Sequence, residues 1–291
     1  MQRNTYLTWL LTSLLIAGCT DDSAIGTDAS KSSAIPANGS ETNDPTDKPS
    51  EATAPTPDRK SVLADIYKNP IQEGTENQLS DGRYVSYWNG SQFTLNGKKY
   101  FVAFSDATPE SEIEYPAPED MVNISQATYE LVGNEWKLKS VQEDVGKFGG
   151  NNKAPTVNSD HKTVISQVTN GNLMLAVPTF VSAMLGTQLY FYEIFSFSAT
   201  DSNWKRLGKV GSGYDNSAGC AHEGDSDTTI KCVRNTGIMQ FSSGGNSNWP
   251  ELKVTFTGTD TNKDGNIVTM SEKDSITYRY DEKSSSYQPV N

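Results

Sequence analysis

From residue 83 onward the sequence keeps returning to a period of two. Alternating or aromatic-rich runs recur at residues 83–88, 99–104, 126–131, 135–141 and 163–168. More follow at 172–177, 188–197, 204–210, 237–241, 252–257 and 275–280, most of them separated by Gly, Asn, Asp or Ser clusters. Period-two alternation sends neighbouring side chains to opposite faces of a strand, and the intervening clusters are turn formers. Antiparallel strands joined by tight turns need no crossover helices. The pattern therefore predicts an all-β domain of antiparallel hairpins, entered through one short helix. Ser61 is the expected cap of that helix, Val62, Leu63 and Ile66 its apolar face, and Asn69 with Pro70 its stop.

A weak repeat runs through the strands. Tyr129 and Leu131, a turn at Gly133 and Asn134, then Trp136 and Leu138 form one unit. Phe195, Phe197 and Trp204 form a second, and Tyr278, Tyr280 and Tyr287 a third. Each joins aromatic alternation to a second aromatic strand across a polar turn. Such hairpins build either a small propeller-like domain or a sandwich, and the spacing is too uneven to define blades. Ordinary aromatic cross-strand pairs explain the repeat equally well.

The N-terminus carries a different signal. Arg3 precedes an apolar run over residues 6–17, broken only by Thr8, Thr12 and Ser13 and ending Leu15, Ile16, Ala17, Gly18, Cys19. A membrane span needs about 20 apolar residues, so this run fits the core of an export signal instead. It resembles the bacterial lipoprotein signal, the lipobox. That resemblance implies lipidation of the Cys19 thiol, removal of residues 1–18, and acylation of the freed amine. Thr20, standing where an Asp would favour retention on the inner membrane, implies an outer-membrane anchor facing the periplasm. Residues 19–58 then read as the lipidated cysteine and a disordered tether. From residue 20 to 58 eight acids oppose Lys31 and Lys48, giving a net charge of −6, with no aromatic residue. Such a segment cannot bury a core. Residues 59–291 form the expected globular domain.

Two cysteines remain, Cys220 and Cys232. In an oxidising compartment an even pair reads as a disulfide. The alternative is a metal site with His222, which lacks a clear fourth ligand and the tight cysteine spacing zinc prefers. The only other histidine, His161, follows Asp160 in a polar stretch and reads as a solvated loop residue, with no identifiable nucleophile to serve. No metalloprotease helix, nucleophile elbow or phosphate-binding glycine loop occurs.

Asp260, Asn262 and Asp264 place side-chain oxygens at alternate positions, followed by Gly265 and the Asn266 carbonyl. This resembles a calcium loop, although Ser271 stands where an EF-hand has its bidentate glutamate and the flanks read as strands. The other reading is an Asp/Asn/Gly hairpin turn. Residues 106–120 carry six acids, among them Glu110, Glu112 and Glu114, and no base, in what reads as an exposed loop. Residues 211–220 form a glycine-dense loop with Tyr214 and Asp215 as contact residues, and the apolar run 180–185 reads as either a buried connection or a partner-facing patch.

The formal net charge of −12 speaks against nucleic acid and for a basic protein partner. The expectation is therefore an outer-membrane-anchored lipoprotein acting as a non-enzymatic binding or inhibitor module. A carboxylate-dependent envelope hydrolase is the alternative, needing two acids about 5–9.5 Å apart, and a structural envelope lipoprotein is a third.

Overall fold

The computed structural model describes residues 54–68, 76–108, 116–168, 171–220, 230–242 and 249–290. All belong to one unit, Ala52–Asn291. The expected signal, Cys19 and most of the tether lie outside the described residues. Five strands build a first sheet in sequential order: β1 (Glu76–Gln78), β2 (Tyr84–Leu95), β3 (Lys98–Thr108), β4 (Val122–Val132) and β5 (Glu135–Phe148). A ten-stranded second sheet follows. It contains β6 (Thr156–Val157), β7 (Val164–Gln167), β8 (Asn172–Ser182), β9 (Gln188–Ser198) and β10 (Asn203–Asp215). It continues with β11 (Arg234–Ser242), β12 (Glu251–Thr261), β13 (Ile267–Thr269), β14 (Ile276–Asp281) and β15 (Ser286–Pro289). Every pairing is antiparallel.

The domain is all-β, and the facing-sheet arrangement rather than a ring of blades accounts for it. One core lies between the sheets, where Val102, Phe104 and Phe148 meet Leu175, Phe195 and Trp204. The three repeat units are the hairpins β4–β5, β9–β10 and β14–β15. Their large apolar partners stand directly opposite one another, as Leu131 with Trp136, Phe197 with Trp204 and Tyr280 with Tyr287. Cross-strand pairing is thus the physical content of the repeat.

The second sheet curls on itself. Register shifts in β10 fall between Arg206 and Gly208 and between Gly211 and Gly213, and extra residues of this kind bend a strand and increase its twist. In consequence β15 returns to β10: a Cβ on Gly208 would stand 3.2 Å from that of Ser286, and the Tyr278 hydroxyl donates to Gly211 O at 3.3 Å. Inside the curl Met174, Ile194 and Leu207 pack against Leu252, Val254 and Tyr280. The hairpin β8–β9 therefore serves two cores at once.

The helix α1 (Arg59–Tyr67) covers the outer face of the first sheet, burying Val62, Leu63 and Ile66 as expected. Its cap is Asp58 rather than Ser61. The Asp58 carboxylate accepts from Ser61 N–H at 2.8 Å, so Ser61 receives the cap instead of supplying it. The helix ends at Tyr67 with Lys68 left-handed at φ 54°, while Asn69 and Pro70 lie outside the described residues. Among the described residues no helix is long and apolar enough to cross a membrane.

Along one side the two sheets are joined by side chains instead of a ladder. Gln142 on β5 accepts from Trp204 N–H at 2.6 Å and donates to Trp204 O at 3.1 Å. Trp204 Nε1–H donates in turn to Thr128 Oγ1 at 2.9 Å.

Candidate functional site

The strand registers bring the chemistry-bearing residues to one end of the second sheet. The hairpin β8–β9 closes there at the Ser182–Gln188 pair, Gln188 faces Asp215 on β10, and Asp215 faces Arg234 on β11. An open cleft lies on each side of this hairpin.

The first cleft, about 700 Å³, is walled by Tyr84, Tyr87 and Trp88 from β2, Asp106 from β3, and Lys153 and Pro155 from the turn entering β6. Trp88 is held in place by its Nε1–H, which donates to Pro155 O at 2.7 Å, and by edge contact with Phe148 at 4.7 Å between centroids. Residues 106–120 are not wholly a loop. Strand β3 runs through Thr108, and Asp106 is buried with its carboxylate accepting from Ser86 Oγ–H at 2.6 Å. Glu110, Glu112 and Glu114 lie outside the described residues, but both roots of their segment are fixed beside the cleft. Thr108 lines it, while Asn151 N–H donates to Ala117 O at 3.0 Å and Asn152 N–H to Asp120 O at 2.7 Å.

The second cleft, about 520 Å³, has a floor of Phe256 and Tyr278 and walls that include Tyr214, Asn216, Ile230 and Asp260. It joins three segments that the sequence left separate: the glycine-dense stretch, the residues flanking Cys232 and the Asp260 loop. The glycine-dense stretch is partly strand, since β10 extends to Asp215, because Gly211 and Gly213 sit at and beside its bulge. Burial pushes the Asp215 carboxyl up, but hydrogen bonds from Ser217 and the Arg234 charge at 3.2 Å more than offset this and hold it below its ordinary value. Cys220 and Cys232 are disulfide-bonded, with Cα atoms 5.0 Å apart. Beside them the buried Asn216 donates to Lys231 O at 2.9 Å and accepts from Val233 N–H at 2.8 Å. The bond closes a sequence separation of 12, so reducing it should cost about 3 kcal/mol of stability, read as a lowered urea midpoint in dithiothreitol. An unchanged midpoint would mean that Asn216 alone secures the loop.

The Asp260 segment forms the tip joining β12 to β13. Asn262 Oδ1 accepts from Asp264 N–H at 3.0 Å and Asn266 N–H at 2.9 Å, and Asn262 N–H donates to Asn266 O at 2.9 Å. Alternate oxygens here close a hairpin turn. The Asn262 side-chain oxygen is thus engaged by two backbone amides. Among the described residues no group of three His, Cys, Asp or Glu is placed to hold a metal.

His161 does have a partner that sequence reasoning missed. Its Nε2 shares a 2.9 Å hydrogen bond with Thr236 Oγ1, a residue 75 positions away that only the sheet brings near. Among the described residues each cleft is lined by a single carboxylate, Asp106 in one and Asp260 in the other. His222 lies outside the described residues. No protein-family model, curated protein or solved structure matches the chain.

Proposed function

We propose that the protein is a lipoprotein, lipidated at Cys19 and held to the periplasmic face of the outer membrane, that binds a basic envelope protein without acting on it chemically. The observation that carries the reading is where the acidic segment is rooted. Thr108, before Glu110, Glu112 and Glu114, lines the aromatic cleft with its Oγ1 3.5 Å from Asn152 O, and after them Ala117 O and Asp120 O accept from Asn151 and Asn152 N–H in the turn that walls it. An acidic segment rooted beside a cleft attracts a basic partner, and the aromatic surface of the cleft supplies short-range contact. The tether over residues 20–58 lets the domain search away from its anchor, roughly 35 Å on average for a flexible chain.

Pull-down of envelope proteins with the full-length protein tests the binding reading. A basic partner is expected to be retained at low salt and released at high salt. Changing Glu110, Glu112 and Glu114 together to Gln should slow association by about tenfold, since rim charges act mainly on the encounter rate. Absence of a retained protein at any salt concentration would overturn the proposal. The anchor is tested separately: Cys19→Ser should abolish acylation, seen by mass spectrometry, and move the protein from the membrane to the soluble fraction.

A further inference from the structure

The Cys220–Cys232 bond stands where three segments of the second sheet meet. The sheet order runs β15-β14-β12-β11-β10-β9, so β11 to β15 reach the rest of the sheet through the β10–β11 ladder. That ladder is three residue pairs long: Gly213 with Thr236, Tyr214 with Asn235 and Asp215 with Arg234. By contrast β9 and β10 share eleven pairs and β11 and β12 eight. One further step is made by Asn216, whose N–H donates to Val233 O at 3.2 Å and whose side-chain amide closes on Lys231 O and Val233 N–H. The disulfide follows within a few residues on both strands.

The same bond supports the turn that ends the β8–β9 hairpin, Met184–Gly186, where Met184 and Leu185 are exposed. Leu185 adopts φ 58°, ψ 27°, a left-handed conformation that such a side chain keeps only where its surroundings over-determine it. Those surroundings are Ala218 and Gly219. A Cβ on Gly219 would collide with the Leu185 carbonyl, and one on Gly186 would meet that of Ala218. Gly219 N–H and Cys220 N–H both donate to Asn216 O at 3.0 Å, so this platform is pinned at Asn216 on one side and at the disulfide on the other. The second cleft shares the arrangement, since Asn216, Lys231 and Val233 wall it. None of these residues belongs to the core between the sheets.

We propose that the Cys220–Cys232 bond is a redox-operated clasp: its reduction by a dithiol frees the β10–β11 junction, releases the Met184–Gly186 turn and opens the second cleft, while the core between the sheets stays folded. Both cysteines are half-buried rather than enclosed, so a thiolate from another molecule reaches the bond. One thiolate of the dithiol attacks a cysteine sulfur, and the S–S bond breaks as a mixed disulfide forms. The second thiol of the dithiol then displaces that sulfur. Two electrons and two protons pass to Cys220 and Cys232, which become thiols, and the reductant leaves as a disulfide. Exchange with an oxidised disulfide runs the same steps backward. Without the bond the ends of β10 and β11 regain the freedom that a closed loop of separation 12 withholds. Three ladder pairs and one amide clasp are left to hold them, and a junction so short opens locally without global unfolding. The clasp operates whether or not a partner is bound.

Hydrogen exchange of the full-length protein with and without dithiothreitol, in the absence of denaturant, is the test. Dithiothreitol should open the bond in the folded protein, read as iodoacetamide adducts on Cys220 and Cys232. Exchange in peptides covering 183–187, 213–216 and 233–236 should then speed up by about a hundredfold, the factor that closing a loop of this size is worth. Peptides covering 101–104, in the core between the sheets, should stay protected through the same hour in both forms. Oxidised glutathione should restore the slow exchange. The double variant Cys220→Ser, Cys232→Ser should exchange fast at the three segments whether or not dithiothreitol is present. The clasp is overturned by a bond that resists dithiothreitol until the protein is unfolded, or by exchange at those segments indifferent to reduction. It is overturned equally by loss of protection over 101–104 within that hour, by exchange that oxidised glutathione fails to slow, or by a double variant that exchanges as slowly as the oxidised protein.

Discussion

Replacing Arg206 with methionine is expected to cost about 3–5 kcal/mol at neutral pH, because it strands a buried charge. Glu193 is 1% exposed on β9, and its carboxylate takes two charge-assisted hydrogen bonds from the Arg206 guanidinium, at 2.8 Å to Nε and 2.7 Å to Nη2. Burial pushes the Glu193 carboxyl above the ordinary glutamate range, and the Arg206 charge draws it only part of the way back. An acid raised on folding contributes stability that is present below its unfolded pKa and lost as pH rises through the folded one. Removing Arg206 raises it further and widens that window upward. The loss should therefore be small at pH 4, where the carboxyl is protonated in both states, and large at pH 7.5. Adding Glu193→Gln to Arg206→Met should restore most of it, since breaking a buried pair costs more than removing both charges. Urea unfolding of the wild type and these two variants at both pH values is the measurement. Equal losses at pH 4 and 7.5 would show that Arg206 acts through its packing alone.

Trp204→Ala should cost a similar amount, about 3–5 kcal/mol, for a different reason. The side chain is 3% exposed and fills the space between the sheets, with ring centroids 5.0 Å from Phe197, 5.4 Å from Phe104 and 5.7 Å from Phe93. Its indole N–H also satisfies Thr128 Oγ1, whose own proton goes to Gln126 Oε1 at 2.7 Å. Trp204→Phe keeps most of the ring and leaves Thr128 without its donor, so it should cost about 1–3 kcal/mol. At about 2–4 °C per kcal/mol for a domain of this size, alanine should lower Tm by roughly 10 °C and phenylalanine by about half of that. Calorimetry on the two variants separates the packing contribution from the hydrogen bond. Equal losses would mean that the hydrogen bond dominates.

Strand type was legible in the sequence because aromatic and branched residues alternate and the turns between them are rich in Gly and Asn. Strand length was less so. Strand β2 runs on to Leu95 in an alternation of buried Phe93 and Leu95 with exposed Gln92 and Thr94, set off from its first half by a register shift between Tyr87 and Asn89, and β5 runs on to Phe148 past the exposed Glu143 and Asp144. The short strands β1, β6 and β13 hold only two or three residues each, below any window in which alternation can be counted. Asp58 and Ser61 are both good caps, and only backbone geometry decides between them. For the site, Tyr214 and Asp260 were recognisable one by one. Their meeting in one cleft was not, because it depends on pairings across β10, β11 and β12. Tyr84 and Trp88 went unnoticed since an aromatic pair in a strand reads as core. Met184 and Leu185 were visible as an apolar run, yet their exposure follows from the hairpin closing before it reaches them.

The sharing of β8 and β9 between two cores has a consequence for how the chain comes into being. Synthesis proceeds from the N-terminus, so β1 to β5 exist before the strands that cover their inner face. Until Ser198 has emerged, Phe104, Ile124 and Phe148 have no second layer, although α1 already covers the opposite face. The nascent protein therefore passes through a stage with one sheet face bare and apolar, in which a holdase chaperone or slow delivery would guard against aggregation. Arrival of a single hairpin ends that stage and founds the second core in the same step.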